Sequence, residues 1–90
     1  MESYQSIIHN LLEKARTYYR IKDYKSSIDC LNKVLEINQK DVFALRNKGT
    51  CYYDLQEYNK SINCFDQALE IDPINKYSLN NKGFALYNLK

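Results

Sequence analysis

The chain is predicted to be all-α: an α-solenoid of antiparallel helix hairpins, with five helices in about two and a half repeats of thirty-four residues. Three observations lead there. First, residues 8–41 and 42–75 align without a gap and agree at eleven of thirty-four positions. The matches include Leu11 with Leu45, Lys14 with Lys48, Tyr18-Tyr19 with Tyr52-Tyr53, Ser27-Ile28 with Ser61-Ile62, and Leu35-Glu36-Ile37 with Leu69-Glu70-Ile71. Second, residues 76–90 restart the unit: Leu79, Asn81, Lys82, Gly83, Tyr87 and Leu89 repeat Leu45, Asn47, Lys48, Gly49, Tyr53 and Leu55. Third, apolar residues inside each unit recur every three or four positions, the helical period. A fixed period of this size marks stacked units, each too small to bury its apolar face alone.

After a lead-in of residues 1–7, the first half of repeat 8–41 carries Ile8, Leu11, Ala15 and Tyr18 along one helical face, and its second half Tyr24, Ser27, Ile28, Leu31, Val34 and Leu35. Repeat 42–75 does the same with Val42, Leu45, Gly49 and Tyr52, then Tyr58, Ser61, Ile62, Phe65, Ala68 and Leu69. Each unit is therefore a helix A followed by a helix B, and residues 76–90 supply one more helix A. Asp41 and Asn75 stand where a short polar side chain accepts from an orphan N–H at a helix start. Pro73 prevents continuation of the second helix B, and the A-to-B turns fall near Lys22-Asp23 and Gln56-Glu57.

Both glycines, Gly49 and Gly83, lie inside helices at the eighth place of their unit, where Ala15 stands in the first. A glycine inside a helix costs about 1 kcal/mol against alanine, so close packing is expected to offset it, with small Ser27 and Ser61 on helix B as the facing residues. The serine hydroxyls are expected to bond back to a carbonyl four residues earlier in their own helix.

Ninety residues form one domain, and a net charge of +2 is too small to imply nucleic acid or an anionic membrane. No stretch nears eighteen apolar residues, and Met1-Glu2-Ser3-Tyr4-Gln5 has no basic-then-apolar leader pattern. Cys30 and Cys64 repeat one packing position. With Cys51 they make an odd set of thiols, expected to be reduced in a cytoplasmic protein.

The units resemble the tetratricopeptide repeat. That family's unit has a large apolar residue fourth, glycine or alanine eighth, tyrosine eleventh, alanine twentieth, a large residue twenty-fourth, alanine twenty-seventh and proline thirty-second. Residues 42–75 answer with Leu45, Gly49, Tyr52, Ser61, Phe65, Ala68 and Pro73, and residues 8–41 with Leu11, Ala15, Tyr18, Ser27, Leu31, Val34 and then Gln39. The last unit offers Leu79 and Gly83, with Leu86 in the tyrosine place. The resemblance implies a right-handed superhelical stack. Serine departs from alanine twice, and lysine fills the seventh place three times (Lys14, Lys48, Lys82). This lysine row is expected to lay its stems over apolar neighbours with its ammonium groups in water.

The resemblance further implies a non-enzymatic protein-protein interaction module whose helices A line a concave ligand groove. Carried over by position, the groove places of the first unit hold His9, Leu12, Glu13, Arg16, Tyr19 and Arg20, of which Arg16, Tyr19 and Arg20 are the candidate ligand residues. Phe43, Arg46, Asn47, Thr50 and Tyr53 come from the second, and Tyr77, Asn80, Asn81, Phe84 and Tyr87 from the third. All three arginines fall in this groove set and none of the ten lysines does. The arginine fork suits carboxylates and aromatic faces, so the expected partner is a peptide or protein segment, acidic by this argument. Tyr19, Tyr53 and Tyr87 recur at one place as a ladder; aromatics and arginines anchor interfaces, although packing between neighbouring helices is the plainer role for the tyrosines. The family's two-carboxylate clamp for chaperone tails is disfavoured, because its five positions hold Leu12, Arg16, Asn47, Tyr77 and Asn81 here and only Asn47 matches.

No cofactor, metal or catalytic site is expected. His9 is the single histidine, the cysteines lack zinc-binding spacing, and no glycine loop could cradle a phosphate. Glu13 and Asp54 are expected to pair with groove arginines. The alternative to peptide binding is a structural role: the last helix A keeps Leu79, Gly83, Leu86 and Leu89 on a face with no helix B to cover it, so a homo-oligomer through that helix is expected.

Overall fold

A computed structural model describes residues 3–90 and contains five helices: α1 Tyr4–Arg20, α2 Tyr24–Ile37, α3 Val42–Asp54, α4 Tyr58–Ile71 and α5 Lys76–Leu89. Of the expected lead-in, Met1 and Glu2 lie outside the described residues. The rest of it is mostly helix, because Ser3 caps α1 by accepting from the Ser6 amide at 3.1 Å. Asp23, Asp41 and Asn75 cap α2, α3 and α5 in the same way, at 3.2, 2.9 and 2.8 Å. Each helix packs on its chain neighbour, giving an elongated stack of 48 × 29 × 17 Å.

The turns from α1 to α2 and from α3 to α4 share one geometry. Lys22 and Gln56 adopt φ of 66° and 63°. The Lys22 and Asp23 amides donate to the Tyr19 and Tyr18 carbonyls, both at 2.9 Å, and Gln56 and Glu57 do the same to Tyr53 and Tyr52. This is the Schellman arrangement, which glycine usually completes; here a lysine and a glutamine hold the left-handed place.

Packing within a hairpin follows the small residues. Phe65 is fully buried against Gly49, where a β-carbon would stand 2.8 Å from Phe65 Cε1. Ser27 and Ser61 are buried, but their hydroxyls do not turn back on their own helix. Ser27 Oγ donates to the Ala15 carbonyl and Ser61 Oγ to the Gly49 carbonyl, each at 2.8 Å. The facing helix lies so close that its carbonyl is in reach, and the bond ties A to B at the same place in both repeats.

Packing between hairpins uses the third and tenth places of a unit. Ala44 and Ser78 hold the third, Cys51 and Ala85 the tenth, and all four are buried. In the first unit the same places are Asn10 and Thr17, both exposed. The three cysteines are free and buried, as packing residues. Burial pushes the Cys64 thiol up, partly offset by Lys48, and the Cys51 thiol up, partly offset by its contact with Ser27. Of the lysine row, Lys82 makes a 2.6 Å ion pair with Asp66 of α4, rather than sending its ammonium only to water. Among the described residues, no helix is long and apolar enough to cross a membrane.

Candidate functional site

Helices α1, α3 and α5 lie side by side, and the carried-over groove positions gather on them. At the centre is a stack of three side chains. The Arg46 guanidinium carbon sits 4.8 Å from the Phe43 ring centroid and 4.5 Å from that of Tyr77, so one cation bridges two aromatic rings from α3 and α5. Arg46 Nε is buried in this stack with no hydrogen-bond partner, leaving ring contact as what holds the side chain. Thr50 donates to the Arg46 carbonyl at 3.0 Å, and its hydroxyl lies 3.4 Å from that of Tyr77. Asn47 Nδ2 donates to the Phe43 carbonyl at 2.8 Å.

Beside the stack a cavity of about 100 Å³ opens between α1 and α3. Six of the expected groove residues reach it: Arg16, Tyr19, Phe43, Asn47, Thr50 and Tyr77. A second, shallower depression on α5 collects Asn80, Phe84 and Tyr87. Arg20, Arg46, Tyr53 and Asn81 line neither; Arg46 contacts the Phe43 and Tyr77 rings instead. The cavity's apolar side is made by Leu12 from α1, which holds a groove place, and by Leu31 from α2 and Cys51 from α3, which do not. Leu12 carried a signal, since it occupies the place where the chaperone-tail clamp has lysine. Leu31 carried none, because nothing in a helix-B position announces that it shows through to the helix-A face.

The tyrosine ladder is tied into the fold. Tyr19 Oη donates to the Asp54 carboxylate, and Asn88 Nδ2 donates to Tyr53 Oη at 2.9 Å. Each bond joins the twelfth place of one unit to the thirteenth of the next. Asp54 thus takes a tyrosine as partner where an arginine was expected; Glu13 does meet Arg16, at 3.7 Å. Burial, and then the bond to Asp54, push the Tyr19 phenol well above its usual range. Both tyrosines also contact the tyrosine that opens the following helix, with Tyr19–Tyr24 and Tyr53–Tyr58 centroids each 5.5 Å apart. Tyr87, third in the series, is 73% exposed. Among the described residues no cluster of His, Cys, Asp or Glu could hold a metal ion.

Comparison with known proteins bears on fold and family. Two models described as tetratricopeptide repeat match residues 42–75 and residues 8–41. The first TPR of Spaghetti (RPAP3), bound to the HSP90 peptide SRMEEVD, matches with a TM-score of 0.89 at 19% identity, over 92% of this chain and 66% of that one. This chain therefore spans just under two thirds of that domain's length. The second TPR domain of human RPAP3, in complex with the HSP70 peptide SGPTIEEVD, matches with a TM-score of 0.90 at 15% identity, over 97% of this chain and 72% of that one. No curated protein matches the sequence. At these identities the two structures speak for the fold, and the repeat matches speak for the family. The chain belongs to the tetratricopeptide repeat family.

Proposed function

We propose that this chain is a non-enzymatic protein-interaction module that binds an extended, acidic peptide segment along the face formed by α1, α3 and α5. The observation that carries the reading is the Phe43–Arg46–Tyr77 stack beside an open cavity with Arg16 at its rim. It combines aromatic surface, the arginine fork and a concavity, the features that anchor interfaces. Two neighbours in fold hold acidic chaperone peptides, which supports the ligand class. The mode of holding differs, because Leu12 and Tyr77 occupy clamp positions that call for basic side chains. Free cysteines in both repeats fit a cytoplasmic setting.

The test is fluorescence polarisation with labelled acidic peptides, SRMEEVD among them, each paired with its Asn/Gln counterpart, at low and high salt. The acidic member should bind more tightly, lose affinity as salt screens the charges, and weaken against Arg16→Ala. Equal affinity for acidic and neutral members would overturn the reading.

A second reading, self-association through α5, is favoured by one specific feature. Leu79 and Leu86 are 51% and 46% exposed, and a β-carbon on Gly83 would meet nothing within 4 Å. Sedimentation across a concentration series tests it. A mass that rises with concentration and falls back with Leu86→Asp supports association, and a constant monomer mass refutes it.

A further inference from the structure

The groove reading leaves open what an acidic ligand must carry besides charge, and the cavity beside the Phe43–Arg46–Tyr77 stack answers that. Its inner surface is Leu12, Ala15, Leu31 and Cys51, with the rings of Phe43 and Tyr77 as walls. The polar groups around it are engaged: Ser27 donates to the Ala15 carbonyl, Thr50 to the Arg46 carbonyl, Tyr19 to Asp54 and Asn47 Nδ2 to the Phe43 carbonyl, while the Tyr77 hydroxyl lies 3.4 Å from that of Thr50. The Cys51 thiol is neutral at ordinary pH because burial raises it. The interior thus offers carbon and sulfur surface with little to hold a water. Apolar cavities of roughly 150 Å³ stay dry and accept a benzene ring; at about 100 Å³ this one suits an aliphatic side chain and is small for an aromatic one.

The rim is charged. Arg16 meets Glu13 at 3.7 Å, with both side chains more than half exposed, a geometry worth little in water, so its fork remains available to a ligand carboxylate. The two ring walls share the Arg46 guanidinium, which fixes them before any ligand arrives. We propose that this cavity is an aliphatic subsite that takes a Val, Leu or Ile side chain of an acidic extended segment whose adjacent carboxylate lies on Arg16. Leu12 is the specificity-determining residue, because a lysine there would place a charge on the cavity wall.

The inference rests on the groove reading and is tested by a host–guest series that separates the two. A labelled peptide of Asp and Glu residues carries one central guest, Ala, Val, Leu or Phe, and is titrated against the full chain by fluorescence polarisation. The Leu guest should bind about tenfold or more tightly than Ala, from the methylenes it buries, with Phe falling back toward Ala. Leu12→Lys should bring the Leu-to-Ala ratio to about one. Binding of all guests with equal affinity overturns the subsite and leaves the acidic groove standing; no binding by any guest overturns the groove and the subsite with it. Should Leu12→Lys unfold, intermolecular NOEs in the unaltered chain decide: guest Leu methyls must contact the Phe43 and Tyr77 rings, and their absence from a bound Leu peptide refutes the subsite.

Discussion

The ring of Phe65 fills the space that a β-carbon on Gly49 would need, at 2.8 Å. One turn earlier on α4, Ser61 donates to the Gly49 carbonyl, so α3 and α4 are locked at one residue by a contact and a hydrogen bond together. The equivalent Gly83 on α5 meets nothing.

That difference sets opposite signs for one substitution. Gly49→Ala gains helix propensity but forces a fully buried ring to move; overpacking of this kind costs about 1–3 kcal/mol, so a net loss of about 1 kcal/mol is expected in urea melts. Gly83→Ala should gain about 0.5–1 kcal/mol, from propensity alone. The reverse order would show that another helix covers α5 in solution.

Three buried serines divide in the same fashion. Ser27 and Ser61 have partners, whereas Ser78 Oγ is buried without one. Ser61→Ala should cost about 1 kcal/mol, while Ser78→Ala should be neutral or stabilising by up to about 1 kcal/mol. Thermal melts of the two variants measure the contrast directly.

The left-handed Lys22 and Gln56 offer a route to a more stable chain. A non-glycine residue in that conformation costs about 1–2 kcal/mol, and the added freedom of glycine in the unfolded chain returns part of it. Lys22→Gly and Gln56→Gly should each raise stability by about 0.5 kcal/mol in denaturant melts; a loss would mean that their side chains contribute contacts of their own.

Alkaline stability depends on Tyr19. Its phenol is raised in the folded chain, whereas in the unfolded chain it ionises near about pH 10. The unfolded state therefore releases this proton first, so stability is intact below about pH 10 and is lost as pH rises beyond it. Tyr24 and Tyr52 are shifted in the same direction, chiefly by burial, so Tyr19→Phe should reduce this loss without abolishing it. Melting temperatures on either side of that pH, for both chains, provide the measurement.

What the sequence showed in advance was whatever repeats. The thirty-four-residue period located both hairpins, Asp41 and Asn75 announced their helices, and Gly49 marked the close contact before Phe65 was known to face it. What it hid were choices between partners that are equally near along the chain. Ser27 and Ser61 could have bonded within their own helix, and only the closeness of the facing helix turned them outward. Asp54 could have met an arginine, but the next-unit offset puts Tyr19 there instead. Because no glycine marks Lys22 or Gln56, their backbone conformation left no trace in composition. Much of the candidate groove was legible by position, yet its cavity draws on Leu31 of a helix B, and the Arg46 stack requires residues of two units to be brought together.

The bonds from Tyr19 to Asp54 and from Asn88 to Tyr53 act as spacers between successive units. By fixing how far one helix A stands from the next at this end, they set the curvature of the groove as a property of the empty protein. On the function proposed above, a ligand would meet a surface that is already shaped, and would forfeit little of its binding free energy to freezing the receptor. Loosening a spacer would therefore be felt as a loss of discrimination between ligands before it was felt as a loss of fold.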